Sequence, residues 1–261
     1  MRLVILGSNG KLARLLRSAW PKNPDLEPIW LNSSLLDLRQ DTPRLADMLK
    51  DADAILNLAG VTRQTETRSF EDNPVIARTV LQAASGAPVL LCSSAAVYGD
   101  TDDVCHETMT PQPVSAYGSS KLAMERIAAN FAGATCLRIS NVAGADALFG
   151  QEKSHYQLDQ FPGGGFPTRS YIGPHHLAAI ISQLSSMAYR GVALPNILNI
   201  AAELPVSMDA LLTEAGKSWE AKPAPRHAIE RVELDISRLA NLMETKSPYA
   251  SVLQDLHAVG R

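Results

Sequence analysis

Tyr117 and Lys121 stand four residues apart in SAYGSSK, residues 115–121. On a helix this spacing puts both side chains on one face, one turn apart. A free tyrosine titrates near pH 10, too high for a base at neutral pH. An ammonium beside the phenol favours phenolate, so Lys121 is expected to draw the Tyr117 pKa toward the working range. Upstream, Ser93 and Ser94 close the apolar run VLLCSS. Ligands of parallel sheets bind outside the carboxyl ends of strands, where Ser94 can hydrogen-bond the same reacting oxygen as Tyr117. The three residues suit chemistry in which a nicotinamide exchanges a hydride and the protein moves the proton. A serine at a strand end otherwise forms a turn or cap, and a Tyr-x-x-x-Lys pair otherwise decorates a helix surface. The surrounding elements therefore decide.

Those elements alternate. RLVIL reads as a strand and KLARLLRSAW as a helix with Leu12, Leu15, Leu16 and Ala19 on one side, ended by Pro21. EPIWLN is a second strand, and TPRLADMLKD a helix capped by Thr42 with Pro43 in its first turn. DAILNLAG, APVLLCSS and ATCLRIS read as buried strands, and NPVIARTVLQAAS as a helix. Residues 115–132 form a helix that Ser115 caps, Gly133 stops, and Ala123, Ile127 and Phe131 mark on one face. Strands alternating with helices predict an α/β fold, a Rossmann-type doubly wound parallel sheet. Beyond it, 144–170 is rich in Gly, Asp, Gln and aromatics and reads as a long irregular binding loop. HHLAAIISQLSSMAYR is a helix, NILNIA a strand that rejoins the sheet, and SMDALLTEAGKSW a helix before a polar, Pro-containing tail. The expected division is a dinucleotide-binding domain over 1–142, its sheet completed by about 171–202. A small substrate-binding lobe is expected from 143–170 and 203–261.

The first strand runs into Gly7-Ser8-Asn9-Gly10-Lys11-Leu12-Ala13. A glycine-rich strand-to-helix turn lets backbone approach a pyrophosphate, which then sits on the helix N-terminus. The net charge of −3 gives no basic footprint, so nucleic acid is not an expected partner. No apolar run approaches a membrane span, and MRLVILGSNG reads as a first strand rather than a signal peptide. Cys92, Cys105 and Cys136 have no metal-like spacing and suit reduced thiols in the cytoplasm.

With these pieces in order, the chain resembles the extended short-chain dehydrogenase/reductases, the NAD-dependent epimerase/dehydratase group that acts largely on nucleotide sugars. The resemblance is carried by GSNGKLA, LDL (36–38), NLAG (57–60), SSAAVYG, YGSSK, LRISNVAG (137–144) and RSYIGPHHLA (169–178). It implies that Tyr117 is the acid/base, Lys121 its electrostatic partner and ribose ligand, and Ser94 the catalytic serine. It implies that Gly7, Asn9, Gly10, Lys11, Leu12 and Ala13 form the pyrophosphate turn. Asp37 and Leu38 would hold the adenine, and Leu58, Ala59 and Gly60 would line the cofactor. Asn141 and Arg169 would contact substrate phosphates, a task suited to a guanidinium's planar fork. The helices at 73–85 and 116–132 are those such proteins use to form a homodimer.

Departures from the family pattern narrow the expectation. Ala95 and Ala96 stand where nucleotide-sugar dehydratases carry an acidic pair, which disfavours a 4,6-dehydratase. The stretch between Asn141 and Arg169 is short for a lobe that buries a whole nucleotide, so a smaller sugar substrate is admitted. His175 and His176 replace acidic residues; adjacent helix residues face apart, so a capping role is expected and no metal. At the end of the second strand, Asn32, Ser33 and Ser34 stand in place of a carboxylate that would repel a 2′-phosphate, and Lys11 could add charge. NAD or NADP is expected, with a lean to NADP. Epimerase and reductase chemistry stay open, and a catalytically silent NAD(P)-binding sensor is the alternative from another class.

Overall fold

The structure is a computed structural model that describes residues 1–32, 36–151, 153–246 and 251–260. β1 (Arg2–Leu6) leads into α1 (Lys11–Ala19), β2 (Glu27–Leu31), α2 (Thr42–Leu49), β3 (Ala54–Asn57), α3 (Asp72–Ala83), β4 (Val89–Ser94), α4 (Ala116–Ala128) and β5 (Ala134–Ile139). The chain continues through β6 (Asn141–Val142), β7 (Tyr156–Gln160), β8 (Thr168–Arg169), β9 (Tyr171–Ile172), α5 (Pro174–Tyr189) and β10 (Ile197–Ile200). It ends with β11 (Val206–Ser207), α6 (Met208–Glu214), β12 (Trp219–Pro223), β13 (Arg231–Val232), α7 (Ser237–Ala240) and α8 (Val252–Ala258).

Among the described residues the main sheet has six parallel strands in the order β10-β5-β4-β3-β1-β2. Successive β1 side chains serve opposite layers. Leu3 and Ile5 join Leu16 and Ala19 of α1 and Leu177, Ile181 and Leu184 of α5. Val4 and Leu6 join Leu45 and Leu49 of α2, Ala77 and Val80 of α3, and Met124 and Ala128 of α4. With helices on both faces, β3 and β5 are buried along their whole length. β2 and β3 flank β1 on opposite sides. The winding reverses at β1 and leaves a crevice at the carboxyl ends, the usual ligand position in such sheets. This is the doubly wound sheet that the alternation predicts, and β10 completes it after an excursion of the chain.

A separate apolar cluster holds the other elements: Ala143, Leu148, Tyr156, Leu158 and Tyr171 with Leu211, Leu212, Leu253 and Leu256. The structure departs here from two sequence expectations. The segment 144–170 is not wholly irregular, because β7 pairs in parallel with β12 and β8 pairs with both β11 and β13. The helix expected through Trp219 ends at Glu214, Gly216 takes a φ of +63°, and Trp219 begins β12. The expected polar tail thus contains two short strands and two short helices. At α2 the cap is Asp41, not Thr42: its carboxylate accepts from Arg44 N at 3.3 Å.

Candidate active site

Ser94 is the last residue of β4, and a short 3-10 turn over Ala95–Val97 follows. Its hydroxyl accepts from Ala96 N at 3.2 Å and stands near the phenol of Tyr117, whose ionised form it favours. Tyr117 is brought there by α4, which Ser115 caps as expected, its hydroxyl accepting from Gly118 N at 3.0 Å. The next residue sets the distance. A Cβ on Gly118 would stand 2.4 Å from the Ala96 carbonyl, so only glycine lets α4 close on the turn beside Ser94. Phe70 packs on Tyr117 with ring centroids 5.9 Å apart.

Lys121 is buried. Its ammonium donates to the Cys92 carbonyl at 2.8 Å and lies 5.8 Å from the Tyr117 ring centroid. A Cβ on Gly60 would lie 3.4 Å from the Lys121 Nζ, which places this ammonium at the loop after β3. Asn73 of α3 ties the parts together. Its side chain bonds both backbone groups of Val61, at 2.7 and 3.0 Å, and donates to the Ser120 hydroxyl at 2.9 Å. Gly118 and Asn73 escaped the sequence reading. The signal for Asn73 is an amide among the buried positions of an otherwise apolar helix face.

The expected lowering of the Tyr117 pKa by Lys121 is not what the structure gives. Burial pushes the phenol well above the ordinary tyrosine range, and the nearby Ser94 hydroxyl offsets only part of this. Burial likewise lowers Lys121. The phenol is thus held in its acid form.

Beside this trio runs a cleft of about 530 Å³ lined by Gly7, Asn9, Gly10, Asp37, Leu38, Arg39, Leu58, Ala59 and Gly60, among others. Gly7 has a φ of +84°, and a Cβ there would stand 2.6 Å from Ala59 N. Gly10 offers no side-chain cap to α1, so the first N–H groups of that helix are available to an anion. This donor set fits the pyrophosphate of a dinucleotide. Leu12 packs on the sheet core. Asn32 lies just past β2 in a recess with Leu31, Leu36 and Leu38, and Ser33 falls outside the described residues. Lys11 opens α1 and points along the far side of the turn. Its Nζ rests against Gly150, 2.2 Å from where a Cβ would stand, and thus faces the turn after β6. Asp37 is held down to about 2 by its hydrogen bonds with Arg39.

The two residues expected at substrate phosphates have other partners. The Arg169 guanidinium donates to the carbonyls of Thr168 and Glu230, both at 2.8 Å, and of Ile229 at 2.6 Å. It clamps the chain entering β13. Asn141 sits opposite Tyr171 in the β6–β9 pair, and the Tyr171 phenol donates to Asp146 at 2.7 Å. His175 and His176 cap α5 against α8: both backbone N–H groups and His175 Nδ1 meet the buried Asp255 carboxylate at 2.8–3.0 Å. Among the described residues no group of ligands could hold a metal ion. Behind the trio, Ser93 donates to Glu125 at 2.6 Å, and Glu125 pairs with buried Arg138 at 2.8 Å. Among the described residues no helix is long and apolar enough to cross a membrane.

The sequence profile of the NAD dependent epimerase/dehydratase family matches residues 8–158. A UDP-glucose 4-epimerase of Corynebacterium glutamicum is 38% identical over 109 residues, which cover 38% of this chain and 33% of that protein. The match therefore spans about a third of the curated relative's length. A UDP-glucuronic acid 4-epimerase from Bacillus cereus, solved with UDP-glucuronic acid and NAD, superimposes with a TM-score of 0.77 at 17% identity, covering 99% of this chain and 97% of that one. DesIV of Streptomyces venezuelae, a dTDP-glucose 4,6-dehydratase solved with NAD, gives 0.75 at 20% identity over 100% and 96%. An NAD-bound short-chain dehydrogenase/reductase superfamily protein from Agrobacterium tumefaciens gives 0.78 at 18% identity over 100% and 96%. At these identities the solved structures speak to the fold.

Proposed function

The chain belongs to the NAD dependent epimerase/dehydratase family, and on that premise we propose that it is an NAD-dependent enzyme moving a hydride to or from a hydroxyl-bearing carbon of a sugar or nucleotide sugar. The observation that carries this reading is the convergence of Ser94, Tyr117 and Lys121 beside Gly60, at the edge of the cleft. A silent sensor on this fold has no use for a buried lysine beside the Tyr117 phenol at that place.

In the proposed mechanism Ser94 holds the substrate oxygen, and Tyr117 gives it a proton or takes one from it. Burial keeps the phenol protonated, so donation to a developing alkoxide is the ready direction. Lys121 would position the ribose at the Gly60 loop, and its donation to the Cys92 carbonyl holds its ammonium there. Bound NAD would supply the hydride acceptor and, when oxidised, a positive ring that favours phenolate. Gly7, Gly10 and the N-terminus of α1 would receive its pyrophosphate, and Asp37 and Leu38 its adenine. NAD is preferred to NADP: the solved relatives named above carry NAD, and Lys11 is turned to Gly150. Ala95 and Ala96 favour epimerase or reductase chemistry over 4,6-dehydration. Asn141 remains the substrate contact in this reading, and Arg169 becomes a positioning residue. We assign residues 1–142 with about 171–202 to the dinucleotide domain and the rest to the substrate lobe. A homodimer through α3 and α4, and a cytoplasmic setting for the three free thiols, complete the proposal.

The test is turnover of a panel of UDP- and dTDP-sugars and free sugars, followed both by product and by NADH absorbance. Tyr117→Phe is expected to lose about 10²- to 10⁴-fold in turnover while still binding cofactor. Product without net NADH change marks an epimerase; stoichiometric NADH change marks a reductase or dehydrogenase. Undiminished turnover in Tyr117→Phe at saturating substrate would falsify the mechanism.

A further inference from the structure

Leu36, Leu38 and Ile76 give one end of the cleft an apolar lining, and charged groups stand around it. Arg39 Nε donates to Asp37 Oδ1 at 2.9 Å and Nη2 to Oδ2 at 2.8 Å, a two-toothed pairing that fixes the guanidinium plane. The remaining nitrogen, Nη1, donates to the Thr67 carbonyl at 3.2 Å and lies 3.8 Å from Asp72 Oδ2. Asp37 follows β2, whereas Thr67 belongs to the segment that joins β3 to α3 and Asp72 opens α3. Arg39 therefore runs from one wall of the cleft to the other. The far wall has its own order: Thr65 N donates to the Arg68 carbonyl at 3.0 Å, and Asp72 Oδ2 accepts from Ser69 N at 3.1 Å. Arg68 lines the same cleft.

We propose that Arg39 is an electrostatic strap that closes this end of the cleft over bound dinucleotide and sets how long the dinucleotide stays. The inference rests on the reading of the cleft as an NAD site. Exposure decides that this is a strap and not a fixed wall. The Arg39 and Asp37 side chains are 39% and 43% exposed, so solvent screens each pair and the contacts open readily. A base filling the apolar slot excludes water from beneath the guanidinium and strengthens the same pairs. A planar guanidinium is also suited to lie on an aromatic face. An enzyme that returns the hydride to its own product gains from retention, whereas one that consumes the cofactor must open the strap in every cycle.

The experiment is release of prebound NADH, chased with excess NAD in a stopped-flow fluorimeter, at low and high ionic strength. It uses the full chain and its variants Arg39→Gln and Asp72→Asn. Arg39→Gln is expected to speed release about three- to tenfold at low salt, with Asp72→Asn between it and the unaltered protein. High salt should speed release from the unaltered protein and close most of the gap, because the pairs are screened. Release from Arg39→Gln within error of the unaltered protein at low salt overturns the strap. So does a gap that persists undiminished at high salt, since a purely structural role has no reason to track ionic strength. Failure of the unaltered protein to bind NADH overturns the cofactor reading itself, and the strap with it.

Discussion

In the proposed mechanism Tyr117 is the residue on which the chemistry turns, and its surroundings make a prediction separate from activity. Desolvation penalises the charged phenolate, so in the cofactor-free protein Tyr117 titrates above a free tyrosine. A spectrophotometric titration at 295 nm should therefore show Tyr117→Phe losing no amplitude near pH 10. Adding NAD should bring a Tyr117-dependent step to lower pH, because a positive ring then faces the phenol. A step near pH 10 that vanishes in Tyr117→Phe without cofactor contradicts the burial argument. The positions of Tyr117, Lys121 and Ser94 were legible in the sequence because each depends on local spacing: one helical turn, one cap and one strand end. The sign of the phenol's shift was not legible. It depends on how deeply α4 seats against the Ala95–Val97 turn, which Gly118 decides.

Elements were legible where periodicity is strong and sheet burial two-sided, as in β3, β5 and α4. They were less so where pairing is short and distant. β7 and β12 meet across sixty-odd residues, and β12 is exposed from Glu220 to Pro223 with no apolar alternation, so the pairing leaves little trace in either run. Arg169 shows the same limit in one side chain. Its motif pointed to phosphate, but its hydrogen bonds go to carbonyls at 229 and 230, and contacts so far along the chain leave no local mark. Arg169→Ala should therefore act first on stability. Stranding the partly buried carbonyls of Thr168 and Ile229 is expected to cost about 1–3 kcal/mol in urea unfolding, with Arg169→Lys recovering only part because an ammonium lacks the fork. An Arg169→Ala protein of unaltered stability but raised KM would return this residue to the substrate.

At the scale of the whole molecule, the fold is one sheet whose last strand arrives late. β10 pairs with β5 and carries Asn199, which accepts from the Tyr98 phenol at 2.7 Å and donates to the carbonyls of Cys105 and Asp235 at 2.8 and 2.9 Å. A fragment ending at residue 142 keeps the Gly7–Gly10 turn and Ser94, Tyr117 and Lys121 but leaves β5, buried along its whole length in the intact chain, as an open edge. It is expected to aggregate or to lack fixed tertiary packing by near-ultraviolet circular dichroism. A monodisperse fragment that unfolds cooperatively would show β10 to be dispensable. The same late strand has a consequence during synthesis. A ribosome adding roughly 5–20 residues per second needs about 3–12 s to travel from the end of β5 to the start of β10. Throughout that interval the nascent chain offers a bare strand edge to its neighbours on the same message. Slower translation between β5 and β10 is thus expected to lengthen the exposure of that edge and lower the yield of intact protein.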